Sequence, residues 1–365
     1  MKESKVVLTR RIQLLIHTEA PAIKRQTRET FWKWQRMCHR AANYIYTHQF
    51  IQEQIKDLFY FTDEVRVRLA NIQKDKDGIL TTSQLNTTYQ LLSRHFKGEM
   101  PMSILGCLNK ILVCSFSKER DRLWKGERSL RSFRRDIPIP IAAHDLRQIK
   151  LEGGGKFYTC RVFGDSFRLY FGRKGGDKRA IWEAALRGEY KLCTSSIQVE
   201  EHKIFLLATF EVSKEDHALQ PEVMAEATLS MEIPIRVKIG RRSYSIGTKE
   251  DFLYRRLAIQ QALHRCQQSA TYNRSKNGLT RKLKNLENYR GAEKRYVNYK
   301  LHVYSRRLIN LCIKHRVATL LLTGQQRKET AAKEEEFLLR NWSYYSLKDK
   351  IAYKANKAGI ALVVE

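Results

Sequence analysis

Apolar positions change their period three times along the chain. Lys5 to His17 alternates loosely and carries β-branched residues, which predicts an opening strand. From about Pro21 the spacing lengthens, and Phe31, Trp34, Cys38, Ala41, Ile45 and Phe50 recur at helical intervals. Further helices are expected over 82–96 and 103–124, with "QKDKDG" as a polar loop ahead of them. No strand signal interrupts this block, so it reads as a helical insertion.

"RSFRRDIPIPI" ends it, because Pro138 and Pro140 break a helix and open a β-rich region. "KFYTCRVFGDSFRLYFGRKGG" and "SIQVEEHKIFLLATFEV" read as hairpins, with turns at Gly153–Gly155 and Gly172–Gly176. The opening strand is expected to join them across the insertion, giving a β-barrel split in sequence. From about Glu226, "ATLSMEIPIRVKIGRRSYSIG" reads as a strand, a turn and a second strand. A helical stretch follows from about Lys249 to His315, with a break near Asn277-Gly278, and "VATLLLTG" is a short buried strand. An amphipathic helix then places Leu347, Ile351 and Ala355 on one face, and Gly359 stops it before the apolar run Ile360–Val364. Strand, helix and strand in that order suit a ribonuclease H-like sheet. The expected fold class is α+β in four parts: 1–20 a first strand, 21–135 helical, 136–225 a β-barrel, 226–365 an α/β domain.

Charge narrows the partners. Sixty-eight Lys and Arg against thirty-eight Asp and Glu leave a net charge of +30, which costs self-repulsion and favours a polyanion. Nucleic acid fits best, since phosphate contacts release counterions. Between Arg236 and Arg316 stand twenty-one Lys and Arg and four Asp and Glu. In the helical part Arg255, Arg256, Arg265, Arg274, Lys276, Arg281, Lys282, Lys284, Arg290, Arg295, Arg306 and Arg307 interleave with leucines. One packed face and one basic face make a channel that tracks a phosphate backbone. Core packing is the expected role of any single ring, but Trp32 and Trp34 cannot both face one core from one helix side, which makes one of them a candidate for stacking on a base or a partner.

No run approaches the ~20 apolar residues of a membrane span, and "MKESKVVLTRRIQLLIH" is not a signal peptide. A cytoplasmic, nucleoid-associated location without a membrane partner is expected. Seven dispersed cysteines without a C-x-x-C pair exclude a zinc ribbon and argue against a disulfide framework. Most are expected to be buried small hydrophobes.

One stretch is specific. Arg340-Asn341-Trp342-Ser343-Tyr344-Tyr345, followed by Leu347, Ile351, Tyr353-Lys354-Ala355 and Gly359-Ile360, resembles the miniature type V-F CRISPR effectors and the TnpB-family RNA-guided nucleases. "KGERSLRSFRRDIPIPI" is similar to their linker between recognition lobe and wedge, and "SSIQVEEHKIFLLATFEV" to their last wedge strands. The resemblance implies a wedge barrel split by recognition helices, then a RuvC-like nuclease domain. It also implies a guide RNA as an essential component, double-stranded target DNA as partner, and a homodimer on one guide.

It further implies three carboxylates around two divalent ions. Here Met231 falls where the first Asp belongs, with Glu232 one residue out of register, and Thr323 stands in place of the Glu closing the second strand. The third carboxylate and a Cys-rich zinc ribbon would follow the final strand, and the sequence given stops at Glu365. The expectation is a truncated, nuclease-dead form with no metal site, an RNA-guided DNA-binding protein that is not an enzyme. Such a protein regulates transcription, either by blocking a promoter or by recruiting RNA polymerase through a sigma factor. Two alternatives stand beside it. One is an RNA-binding protein without a DNA target. The other is a residual metal-dependent nuclease that uses Glu232, Glu329 or Glu334–Glu336. Arg340 and Trp342 join the expected nucleic-acid contacts, and Gln84, Asn86 and Thr87 are candidates for reading a flanking DNA motif.

Overall fold

The computed structural model describes residues 5–59, 84–173, 175–200, 203–230, 232–272, 276–323 and 344–365; the side chains of 56–59, 84, 270–272, 276–280, 282 and 344 fall outside the description. Two compact units emerge. One is Val7–Val212; the other is Ser213–Glu365 with the start of the chain.

In the first unit β1 (Lys5–Ile16) leads into α1 (Pro21–Phe59), α2 (Gln84–Phe96) and α3 (Met102–Trp124). The helical positions expected of α1 are its core: Phe31, Cys38, Ala41 and Ile45 are fully buried. There follow β2 (Ile139–Ile141), β3 (Leu146–Glu152), β4 (Phe157–Val162), β5 (Asp165–Tyr170), α4 (Gly176–Leu186), β6 (Lys191–Leu192), β7 (Ser195–Glu200) and β8 (Lys203–Ser213). The sheet runs β2-β7-β8-β1-β5-β4-β3, with β6 on β8. The opening strand therefore does join the later hairpins across the helices.

Two expectations change here. Among the described pairings β2 and β3 remain the two edges, so the sheet is a curled half-barrel rather than a closed barrel. Pro140 in β2 offers no amide proton, and an irregularity between Arg147 and Lys150, with Gln148 at φ +49°, breaks the ladder of β3. Gly176 does not belong to a turn; it begins α4, which buries Trp182 against Phe210. Trp34, half-buried, packs its ring between Phe31 and Phe163, with ring centroids 5.0 and 5.4 Å away, as its helical spacing predicts.

In the second unit β9 (Gln220–Leu229), β10 (Ile235–Ile239) and β11 (Arg242–Ile246) form an antiparallel meander. The sequence pattern suggested two strands; Gly240 at φ +56° folds the second of them into a hairpin. Helices α5 (Lys249–Tyr272) and α6 (Lys276–Lys314) follow, then β12 (Val317–Leu322), α7 (Tyr344–Lys357) and β13 (Ala361–Val364). The sheet order is β11-β10-β9-β12-β13, and β12 is parallel to both neighbours. Ala225, Ala227 and Leu229 point from β9 into a core shared with Leu301, Leu308 and Cys312 of α6 and with Leu347, Ile351 and Ala355 of α7. Gly359, at φ +74°, ends α7 as expected. All seven cysteines are free, and burial pushes the thiols of Cys38, Cys160 and Cys312 up to about 12. No helix among the described residues is long and apolar enough to cross a membrane.

Candidate nucleic-acid interface

The basic stretch is a helical hairpin. Thr248 caps α5, its Oγ1 accepting from the Asp251 amide at 3.2 Å. Asp251 then ties the pair together: Lys300 Nζ lies 2.5 Å from Oδ1, Tyr304 donates to Oδ2 at 3.0 Å, and the Tyr296 hydroxyl donates to the Asp251 carbonyl at 2.7 Å. The Lys300 hydrogen bond holds the Asp251 carboxyl below its ordinary range.

The cations divide into distinct roles. Arg256 is buried, and its Nε donates to Glu293 Oε1 at 2.9 Å while Gln260 donates to the same oxygen at 3.0 Å. Its charge is therefore committed to holding α5 on α6. Arg281, Lys284, Arg295 and Arg306 are exposed and fall within about 60° of one another at 100° per residue, opposite the core positions Val297, Leu301 and Leu308. That stripe extends roughly 37 Å along the helix at 1.5 Å per residue. Arg290 and Arg295 meet Arg256 and Glu293 around a cavity of about 670 Å³ that also reaches Lys294 and Ser346. Arg255 is exposed near the Tyr296 ring, 5.7 Å from its centroid. Arg265 and Arg307 are exposed as well. Arg274, Arg340 and Trp342 lie outside the described residues, as do the side chains of Lys276 and Lys282.

At the carboxyl ends of β9 and β12, sheet register sets the chemistry. The Thr323 amide donates to the Ala227 carbonyl at 3.1 Å, and the Oγ1 atoms of Thr228 and Thr323 are hydrogen-bonded at 3.1 Å. Across the next strand Thr228 is paired with Arg236, which is exposed. On the other side the Glu365 amide donates to the Leu322 carbonyl at 3.0 Å. The row thus reads Arg236, Thr228, Thr323, Glu365. Ser230 is used in the turn, exchanging hydrogen bonds with Ile233 at 2.9 and 3.3 Å. Glu232 is exposed on that turn. Met231, Glu329 and Glu334–Glu336 lie outside the described residues. Among the described residues no three His, Cys, Asp or Glu are grouped to hold a metal ion.

Of the motif-reading candidates, Thr87 is buried and accepts from Gln52 Nε2 at 2.9 Å, inside a polar contact between α1 and α2. Asn86 is exposed, and the Gln84 side chain is outside the description. Sequence reasoning did not single out Thr228, Arg236, Tyr254 or Tyr299. Only strand register and helix pairing bring these into sites.

The chain is a mixed α/β protein that carries a half-barrel sheet, a five-stranded sheet and a basic helical hairpin. No family model matches the chain. It is 20% identical over 263 residues to the CRISPR-associated endodeoxyribonuclease Cas12f1 of Sulfoacidibacillus thermotolerans, covering 68% of this chain and 62% of that relative. It thus spans less than two thirds of the relative's length. The structure of a Cas12f1–sgRNA–target DNA complex superposes with a TM-score of 0.66 at 13% identity, over 98% of this chain and 89% of that one. A CRISPR–Cas12f ternary complex gives a TM-score of 0.40 at 14% identity, over 94% and 74%. The chain resembles the miniature type V-F CRISPR effectors.

Proposed function

We propose that this protein is an RNA-guided DNA-binding protein that does not cut its target. The strand order β11-β10-β9-β12-β13, with a parallel β9-β12 pair, supports reading the second unit as a RuvC-like domain. The observation that carries the loss of cutting is the Thr228–Thr323 hydrogen bond, 3.1 Å long, with Arg236 paired beside it. Two neutral hydroxyls bonded to each other and a guanidinium do not fit a pair of divalent ions, which require carboxylate oxygens. The single carboxylate side chain at the end of that row, Glu365, favours the competing nuclease reading but supplies one ligand where two metals need several.

The basic stripe on α6 would hold the backbone of a guide–target heteroduplex, whose sequence is read by base pairing. Binding without cleavage suits transcriptional control, either by occluding a promoter or by bringing in RNA polymerase through a sigma factor. A homodimer sharing one guide RNA completes the proposal.

The test is direct. RNA that co-purifies with the protein is sequenced, and the loaded complex is incubated with matched DNA and magnesium or manganese. A structured RNA with a variable end, a guide-dependent mobility shift and unbroken DNA strands are expected. A reproducible nick would refute the proposal in favour of the residual nuclease, and the absence of a discrete RNA would refute guided binding altogether.

A further inference from the structure

On the outer side of the α5–α6 hairpin, Tyr254, Tyr296 and Tyr299 line a groove of about 520 Å³ together with Asp251, Arg255 and Lys300. Tyr254 is 82% exposed and Tyr299 64%, an unusual display for two large rings on neighbouring helices. Tyr296 is fixed in the same groove by its hydrogen bond to the Asp251 carbonyl. The groove is charge-balanced, since Lys300 is neutralised by Asp251, and Arg255 is matched by Glu250 on the same rim. A pocket of rings with no net charge has little attraction for a phosphate. It suits a flat, neutral, aromatic ligand that can also hydrogen-bond to a carboxylate or a guanidinium.

The position of Tyr299 identifies the source of that ligand. At 100° per residue it falls on the same line as Arg281, and between Arg295 and Arg306 in sequence, so the ring interrupts the basic stripe. A phosphate backbone following the stripe passes the mouth of the tyrosine groove. We infer that this groove stacks an unpaired base of a nucleic-acid strand held along α6, with Tyr254 and Tyr299 as the stacking faces and Arg255 closing the side. A paired base is shielded in its duplex and cannot enter, so the groove distinguishes single strands from double strands. Stacking on aromatic side chains tolerates every base, which predicts little sequence preference. The inference rests on the reading of the hairpin as a nucleic-acid surface, and not on guidance by RNA or on the loss of cutting.

The experiment compares wild-type protein with Y254A/Y299A, Y254F/Y299F and Y299W. Each is titrated with a fluorescein-labelled oligo(dT) and with a blunt duplex of equal length at one salt concentration. The alanine pair should bind oligo(dT) about tenfold or more weakly while its duplex affinity is unchanged. The phenylalanine pair should bind as wild type does, and Y299W should lose fluorescence as oligo(dT) binds. Equal loss for both ligands in the alanine pair would reduce the groove to part of the charged surface and overturn the inference; so would undiminished oligo(dT) binding. Sedimentation of the same variants covers the remaining occupant. If Y254A/Y299A converts a dimer to a monomer, the rings serve a second copy of the chain and the inference fails. Tyrosine-dependent oligo(dT) binding by a protein that lacks guide-programmed DNA binding would leave this inference standing and remove the function proposed above.

Discussion

Arg256 donates its Nε proton to Glu293 Oε1 across 2.9 Å, with only 7% of the arginine side chain exposed and 24% of the glutamate. A guanidinium that dry is tolerable only while its partner is present. Glu293→Ala should therefore destabilise the hairpin by about 2–3 kcal/mol, somewhat less than a fully buried pair because the carboxylate keeps some water. Arg256→Met, which removes the charge and fills the space, should cost less than Glu293→Ala. Urea unfolding followed by circular dichroism measures both, and a larger loss for Arg256→Met would show that packing rather than charge joins α5 to α6.

That pair also marks the limit of what the sequence discloses. Leu347, Ile351 and Ala355 announce their shared face because burial imposes a period, and all three are fully buried. The strand Val317–Leu322 and the glycine stop at Gly359 are legible for the same local reasons. Arg256 is not, because neighbouring arginines on one helix have identical chemistry until a second helix arrives to bury one of them and leave the other in water. α4 escaped for another reason. Its helical run is short and opens on Gly175-Gly176, which reads as a turn until Trp182 finds Phe210. Thr323 stood out in the sequence, yet its meeting with Thr228 required the register of two strands, the residues being ninety-five positions apart.

The exposed stripe makes a quantitative claim about salt. Each phosphate neutralised by a lysine or arginine contributes about 0.9 to the slope of log K against log salt on duplex nucleic acid. Converting Arg281, Lys284, Arg295 or Arg306 singly to Gln should lower that slope by about 0.9 and weaken binding equally across sequences. Filter binding over a salt series reads both quantities. An unchanged slope would remove that residue from the backbone track.

Lys354 sets up a dependence on pH. Its Nζ lies buried between the His302 carbonyl and Ser305 Oγ, 2.6 Å from each, with no carboxylate in contact among the described residues. Burial first, then repulsion from Arg306 and Lys350, lowers its pKa to about 8. In the unfolded chain the amine keeps its proton to about 10.4. Between these values the unfolded state binds more protons, so stability should rise with pH from about 8 to about 10, and below that window the penalty is present in full. Lys354→Met should match or exceed wild-type stability at neutral pH and lose the advantage as pH passes through that window. Chemical denaturation of the two proteins at several pH values checks the crossing; parallel curves would refute the assignment.

Gly247 and Gly240 both have positive φ, +79° and +56°, yet substitution should separate them. A Cβ on Gly247 would lie 2.7 Å from Tyr304 Cε1 and 3.1 Å from Pro234 Cγ, whereas one on Gly240 would meet nothing within 4 Å. Tyr304 has little freedom to retreat, being 1% exposed and bonded through its hydroxyl to Asp251 at 3.0 Å. Gly240→Ala should cost only the left-handed backbone term, about 1 kcal/mol. Gly247→Ala should add overpacking, for a total of about 2–4 kcal/mol. Because a displaced Tyr304 pulls on Asp251, the larger loss should be accompanied by weaker protection of the amides at the start of α5. Hydrogen exchange at Asp251 and Phe252 measures that coupling, and equal protection in both variants would confine the effect to the turn.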